Sequence, residues 1–163
     1  MKKNKDELKQ ILPHREPMLL LDSAELTIEK GDNEEQAEAS TKLSIGTYTI
    51  RGDEHFLQGH FPDNPVVPGV ILVEMMAQSS CLLFADSDDI GNANGDKTQS
   101  KLTFLTTISS AKFKKPVTTG DTLRMVTKLI KQARMFSFIE ATAYVGDIVV
   151  ATAELSFAVV NRN

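Results

Sequence analysis

Apolar and polar positions alternate with two different periods along the chain, and the changes of period mark out its elements. Residues 4–11 predict a short helix: Asn4 can cap it, Asp6 and Glu7 sit in the positive first turn, and Leu8 and Ile11 share a face. Pro13 ends it. Met18 to Ile28 is apolar and suited to a strand. A Gly31-Asp32-Asn33 turn follows, and Glu34 to Ile45 alternates loosely, as in a strand with one wet face. The two runs predict a hairpin.

Between Phe56 and Gly69 the pattern breaks. Three prolines and two glycines forbid a regular helix and disfavour a central strand. Phe56, Leu57, Phe61, Val66 and Val67 are nevertheless too apolar for a solvated loop, so the stretch predicts a rigid loop held against a core. From Gly69 to about Ala85 the chain is apolar nearly all round, which predicts a buried helix starting after Pro68. Residues 86–100, rich in Asp, Ser, Asn and Gly, predict a mobile loop. Four strand-like runs close the chain, at about 101–114, 121–131, 134–145 and 148–160, with turns at Gly120-Asp121 and Gly146-Asp147. One long buried helix followed by strands predicts an α+β fold in which an antiparallel sheet wraps the helix. The length suits one domain over residues 1–163.

Composition adds little beyond this. Hydrophobic residues make up 41% of the chain and charged residues 25%, ordinary for a soluble globular protein. Cys81 is the sole cysteine, which excludes an internal disulfide and a cysteine-based zinc site. No apolar run is long enough to span a membrane, and the charged start of the chain leads into none, so the expected location is the cytoplasm. Charge placement is more informative. Residues 101–134 hold eight cations, among them Lys112, Lys114 and Lys115, against the single acid Asp121, on a chain of net charge -4. Such a segment reads either as a basic surface for an acidic partner or as a set of solvated strand faces.

Three features carry candidate chemistry. Glu74 lies inside the apolar helix, with Gln78 four residues on and so on the same face. It is either the polar spot of an apolar pocket, its carboxyl tuned to stay protonated, or part of an exposed stripe. His60 sits in the proline-stiffened loop that leads into that helix, where an imidazole can be held as a base. Gly69 opens the helix, so its N–H is unpaired at the positive end of the dipole and could bind a carbonyl oxygen as charge develops on it. A plain helix start after Pro68 would look the same. His14 reads as part of a structural connection and His55 as an exposed residue. Three histidines without ligand spacing predict no metal site, and no glycine-rich phosphate loop follows a strand.

At these residues the chain resembles the 3-hydroxyacyl-[acyl-carrier-protein] dehydratases of type II fatty acid synthesis, which have the hot-dog fold. Three blocks carry the resemblance: Leu12-Pro13-His14-Arg15-Glu16-Pro17-Met18-Leu19-Leu20-Leu21-Asp22; Gln58-Gly59-His60-Phe61-Pro62 with Pro65-Val66-Val67-Pro68-Gly69-Val70 and Glu74-Met75-Met76-Ala77-Gln78; and Ala111-Lys112-Phe113-Lys114-Lys115-Pro116-Val117 with Gly120-Asp121 following. The resemblance implies a central helix wrapped by a curved antiparallel sheet, a homodimer, and a trimer of dimers. It implies that His60 removes the C2 proton of an acyl thioester and that Glu74 of the partner subunit protonates the departing hydroxyl. Gly69 would bind the thioester carbonyl, Gln78 would position Glu74, and Phe61 and Val70 would contact substrate. Lys112, Lys114 and Lys115 would meet acyl carrier protein. The reaction implied is a hydro-lyase step without metal or cofactor, with no nucleic acid or membrane involved. A hot-dog acyl thioesterase and a non-catalytic acyl-binding subunit are the competing readings. Two departures from the family pattern stand out: the long polar stretch 86–100, and His55 where the family commonly has proline.

Overall fold

The structure, a computed structural model, describes residues 1–29, 41–85 and 101–161. Its elements in chain order are β1 (Lys2–Asn4), α1 (Lys5–Ile11), β2 (Ser23–Glu29), β3 (Thr41–Thr49), a 3₁₀ turn (His55–Leu57), α2 (Gly69–Ser79), α3 (Cys81–Phe84), β4 (Lys101–Phe113), β5 (Thr122–Ala133), β6 (Phe136–Val145) and β7 (Ile148–Asn161). Seven strands form one sheet in the order β1-β2-β3-β5-β6-β7-β4, and every pairing is antiparallel. The predicted α+β architecture is therefore observed.

The expected hairpin pairs Glu29 with Thr41 and Ser23 with Thr47. Its turn at Gly31-Asp32-Asn33 and the run from Glu34 to Ser40 lie outside the described residues, as does the stretch 86–100. In α1, Asn4 accepts the N–H of Asp6 and of Glu7, while the Glu7 carboxylate reaches back to the Asn4 N–H, completing a capping box. Met18 to Asp22 does not continue β2 as its apolar run suggests. Leu19, Leu20 and Leu21 are buried, but the Met18 C=O and the Leu20 N–H bond the Gln78 side chain, and the chain rejoins the sheet only at Asp22, whose N–H donates to the Thr47 carbonyl.

Helix α2 packs against β3, β5, β6, β7 and β4, so the sheet wraps it. Met75 and Met76 are fully enclosed with Leu21, Ile50, Leu123, Met125, Ile139 and Leu155. Close approach of sheet and helix depends on Gly46: a Cβ there would stand 2.5 Å from the Ser79 Cβ. The expected single helix over 69–85 breaks at Ser80. The hydroxyls of Ser79 and Ser80 donate back to the Met76 and Ala77 carbonyls, competing with the helical ladder.

Candidate active site

The proline-rich loop is pinned as expected, though by fewer side chains. Phe56, Leu57 and Val67 are buried, and the Val67 N–H donates to the Val117 carbonyl at 2.9 Å, whereas Phe61 is exposed. Glu54 anchors the loop's start. Its carboxylate accepts the N–H groups of Arg51 (2.7 Å) and Gly52 (2.8 Å), and the Tyr48 hydroxyl donates to it at 3.4 Å. Burial alone would push the Glu54 carboxyl up, but these donors outweigh it and hold the group below its ordinary value. Burial next to that carboxylate pushes the Tyr48 phenol up to about 12.

His60 is fixed within this loop. Its N–H donates to the Leu57 carbonyl, its own carbonyl accepts the Val66 N–H, and its ring stacks on Phe61 at a centroid distance of 4.2 Å. Nδ1 lies 2.8 Å from the Val66 carbonyl oxygen. A carbonyl can only accept, so Nδ1 carries a proton, and in the neutral ring Nε2 keeps its lone pair. That is the tautomer a general base requires.

Glu74 is half-buried on α2, and the residues that hold it come from two directions. The Gln78 amide donates to Glu74 Oε1 at 2.7 Å and also to the Met18 carbonyl at 2.7 Å, while Gln78 Oε1 accepts the Leu20 N–H at 2.8 Å. Gln78 is thus fully used and buried. The second contact overturns an expectation. His14, read from sequence as a structural connection, places Nε2 3.2 Å from the same Glu74 Oε1. Arg15 fixes the turn that presents it by donating to the Leu12 and His14 carbonyls at 2.9 and 2.7 Å. The carboxyl is correspondingly not tuned to stay protonated. The His14 hydrogen bond, reinforced by Gln78, outweighs burial and lowers it from its ordinary value.

At the head of α2, Gly69 and Val70 present N–H groups with no acceptor among the described residues. The space opposite Gly69 belongs to Phe113: a Cβ on Gly69 would stand 2.9 Å from the Phe113 Cζ. Glycine is required here by that ring, and a close-approaching ligand is not needed to explain it. Val70 is 75% exposed and Phe61 56%, so both project from the protomer at this end of the helix.

Residues 12–154 match the FabA-like domain. The chain belongs to the FabA-like family. Curated relatives named 3-hydroxyacyl-[acyl-carrier-protein] dehydratase FabZ include one from Alkaliphilus metalliredigens, 33% identical over 163 residues, covering 100% of this chain and 98% of the relative. One from Sulfurovum is 38% identical over 156 residues, covering 96% of each. Among solved structures, a mutant of the fluoroacetyl-CoA-specific thioesterase FlK superposes with a TM-score of 0.58 at 12% identity, over 74% of this chain and 87% of that one. That likeness concerns the fold, which is the hot-dog fold. All three blocks begin within the FabA-like match.

The basic segment of this family member is not one surface. Arg124, Lys128 and Lys131 lie on β5, and Lys112 lies on β4, with β6 and β7 between them. Glu140 and Glu154 stand in register in that gap. Lys112 shares a groove of about 230 Å³ with both acids, together with Ser110, Thr142 and Thr152. Lys114 and Lys115 are exposed just beyond β4, where their N–H groups hold the Val150 carbonyl. Arg124 instead lies over the Tyr144 ring, 4.4 Å from its centroid. Among the described residues no cluster of His, Cys, Asp and Glu could hold a metal ion, and no helix is long and apolar enough to cross a membrane.

Proposed function

We propose that this protein removes water from a (3R)-3-hydroxyacyl thioester carried on acyl carrier protein, giving the trans-2-enoyl thioester of type II fatty acid synthesis. The observation that carries the reading is the tautomer of His60: with Nδ1–H spent on Val66, Nε2 is a free base in a fixed loop of a FabA-like chain. Nε2 takes the C2 proton. The electrons of that C–H bond form the C2–C3 double bond as the C3–O bond breaks. The partner's Glu74, reacting in its protonated form, which the lowered carboxyl makes the minority form at neutral pH, gives that proton to the leaving hydroxyl, which departs as water. The proton on His60 then returns through solvent to the carboxylate. The unpaired N–H of Gly69 donates to the thioester oxygen and stabilises the charge that builds there, with Val70 and Phe61 lining the approach.

The two groups meet in a homodimer, joined along β4 into a continuous sheet. Support comes from the edge itself. β4 is a 13-residue outer strand with Phe104, Ile108 and Phe113 each about half exposed, an edge that a lone subunit would leave open. A trimer of such dimers is the assembly the reading favours. Lys114 and Lys115, with Lys112, receive the acidic carrier protein, although the two glutamates beside Lys112 weaken its share.

The test is a cofactor-free assay of interconversion between 3-hydroxyacyl and trans-2-enoyl thioesters across chain lengths. His60→Ala and Glu74→Gln are each expected to stay folded and assembled while losing roughly a hundredfold or more in kcat. Full turnover by His60→Ala would overturn the assignment of the base. Release of free thiol by the parent without enoyl formation would replace the dehydratase with a thioesterase.

A further inference from the structure

Glu74 Oε1 receives two donors from opposite sides, whereas Oε2 has no hydrogen-bond partner among the described residues. This asymmetry has a chemical meaning. In a protonated carboxyl one oxygen is carbonyl-like and accepts, and the other carries the proton. Donors on Oε1 make it the carbonyl-like oxygen, so the proton resides on Oε2. We propose that His14 is a positioning residue for Glu74: through its Nε2–H, together with the Gln78 amide, it fixes Oε1 and so dedicates Oε2 to proton delivery.

A second observation bears on the state of His14. Its Nδ1 is buried with no partner among the described residues. A proton there would be an orphaned donor, whereas a proton on Nε2 has the Glu74 carboxylate to bond. The ring proton therefore sits on Nε2, the atom that faces Glu74. His14 acts on Glu74 through that Nε2–H. It strengthens Glu74 as an acid by solvating the carboxylate left behind, consistent with the lowered carboxyl. Among the described residues His14 is the one titratable side chain acting on Glu74. Gln78 beside it is uncharged, and the adjacent Arg15 guanidinium donates to the Leu12 and His14 carbonyls. The role is distinct from that of His60 and comes from a segment 60 residues away from Glu74 in the chain.

The inference rests on the dehydratase reading, and its test separates the two. Carbon-13 NMR of protein labelled at glutamate carboxyls, with the Glu74 signal assigned by its loss in Glu74→Gln, gives the titration midpoint of Glu74 directly. In His14→Ala that midpoint is expected to rise and kcat to fall roughly tenfold to a hundredfold. His14→Gln keeps an N–H donor at the Nε2 position and should restore both. His14→Asn, whose amide falls short of Oε1, replaces alanine should the latter fail to assemble. A midpoint in His14→Ala equal to that of the parent, or a His14→Gln variant as slow as His14→Ala, would overturn the proposal. If the parent catalyses no dehydration, the dehydratase reading falls, and with it the role in turnover. The NMR midpoint still decides whether His14 holds the carboxyl.

Discussion

A single side-chain amide, that of Gln78, joins Glu74 to the backbone of Met18 and Leu20. Replacing it with leucine keeps the volume but orphans the buried Leu20 N–H, worth about 1–3 kcal/mol, and removes a donor from the part-buried Met18 C=O. Gln78→Leu should therefore lower the melting temperature as well as the rate, whereas Glu74→Gln should lower the rate alone. Calorimetry beside the enzyme assay tells them apart. Gln78 was visible in the sequence because four residues is one helical turn. Its two backbone partners were not, because they stand 58 and 60 residues away and only the fold brings them in. His14 was hidden for the same reason. Nothing local distinguishes an imidazole in a connection from one aimed at a carboxylate, and only its place in a motif block hinted at more.

Among the elements, the loop from Ile50 to Pro68 shows how a carboxylate can substitute for regular structure. Glu54 takes donors from the residues just before it and so closes the entry to the His60 loop. Because its folded pKa is depressed, the stability it contributes is fully present above its unfolded value near 4.5 and is lost as pH falls through the lower folded value. Glu54→Gln should thus be less stable than the parent at pH 7, by about 1.5–3 kcal/mol for weakened hydrogen bonds to a charged group. The gap should narrow below pH 4.5. Thermal melts at both pH values test this, and a gap independent of pH would exclude the charge as its cause. Strands β4 to β7 were legible to within about two residues from turn glycines and apolar runs. Two elements departed from the pattern for identifiable reasons. The serine pair ended α2 early, and Met18 and Leu20 gave backbone groups to Gln78. The three-residue β1 carries too little sequence to signal itself at all.

For the whole molecule, the sheet has very unequal ends. β1 is 3 residues long and β4 is 13. A charge placed in the middle of the long edge should oppose pairing of two copies there. Ile108→Lys is expected to reduce the mass in light scattering from twice 18.0 kDa, or a multiple of that, to a single chain, with loss of turnover if His60 works with the partner's Glu74 as proposed. Unchanged mass and rate would show that the subunits associate elsewhere. The fold class was readable at this scale because one helix, apolar nearly all round, has to be covered on most of its sides. The distribution of charge was not: linear sequence grouped eight cations that the strand order then spread across the sheet.

The wiring of Gln78 also has a practical side. Anyone reshaping the acyl pocket by grafting segments from a relative would naturally treat the residues between α1 and β2 as scaffold, remote from the chemistry. They hold the carboxyl's tether at one end and its imidazole neighbour at the other. A chimera with its junction between Pro13 and Leu21 would inherit a misaligned acid even with every residue of α2 intact.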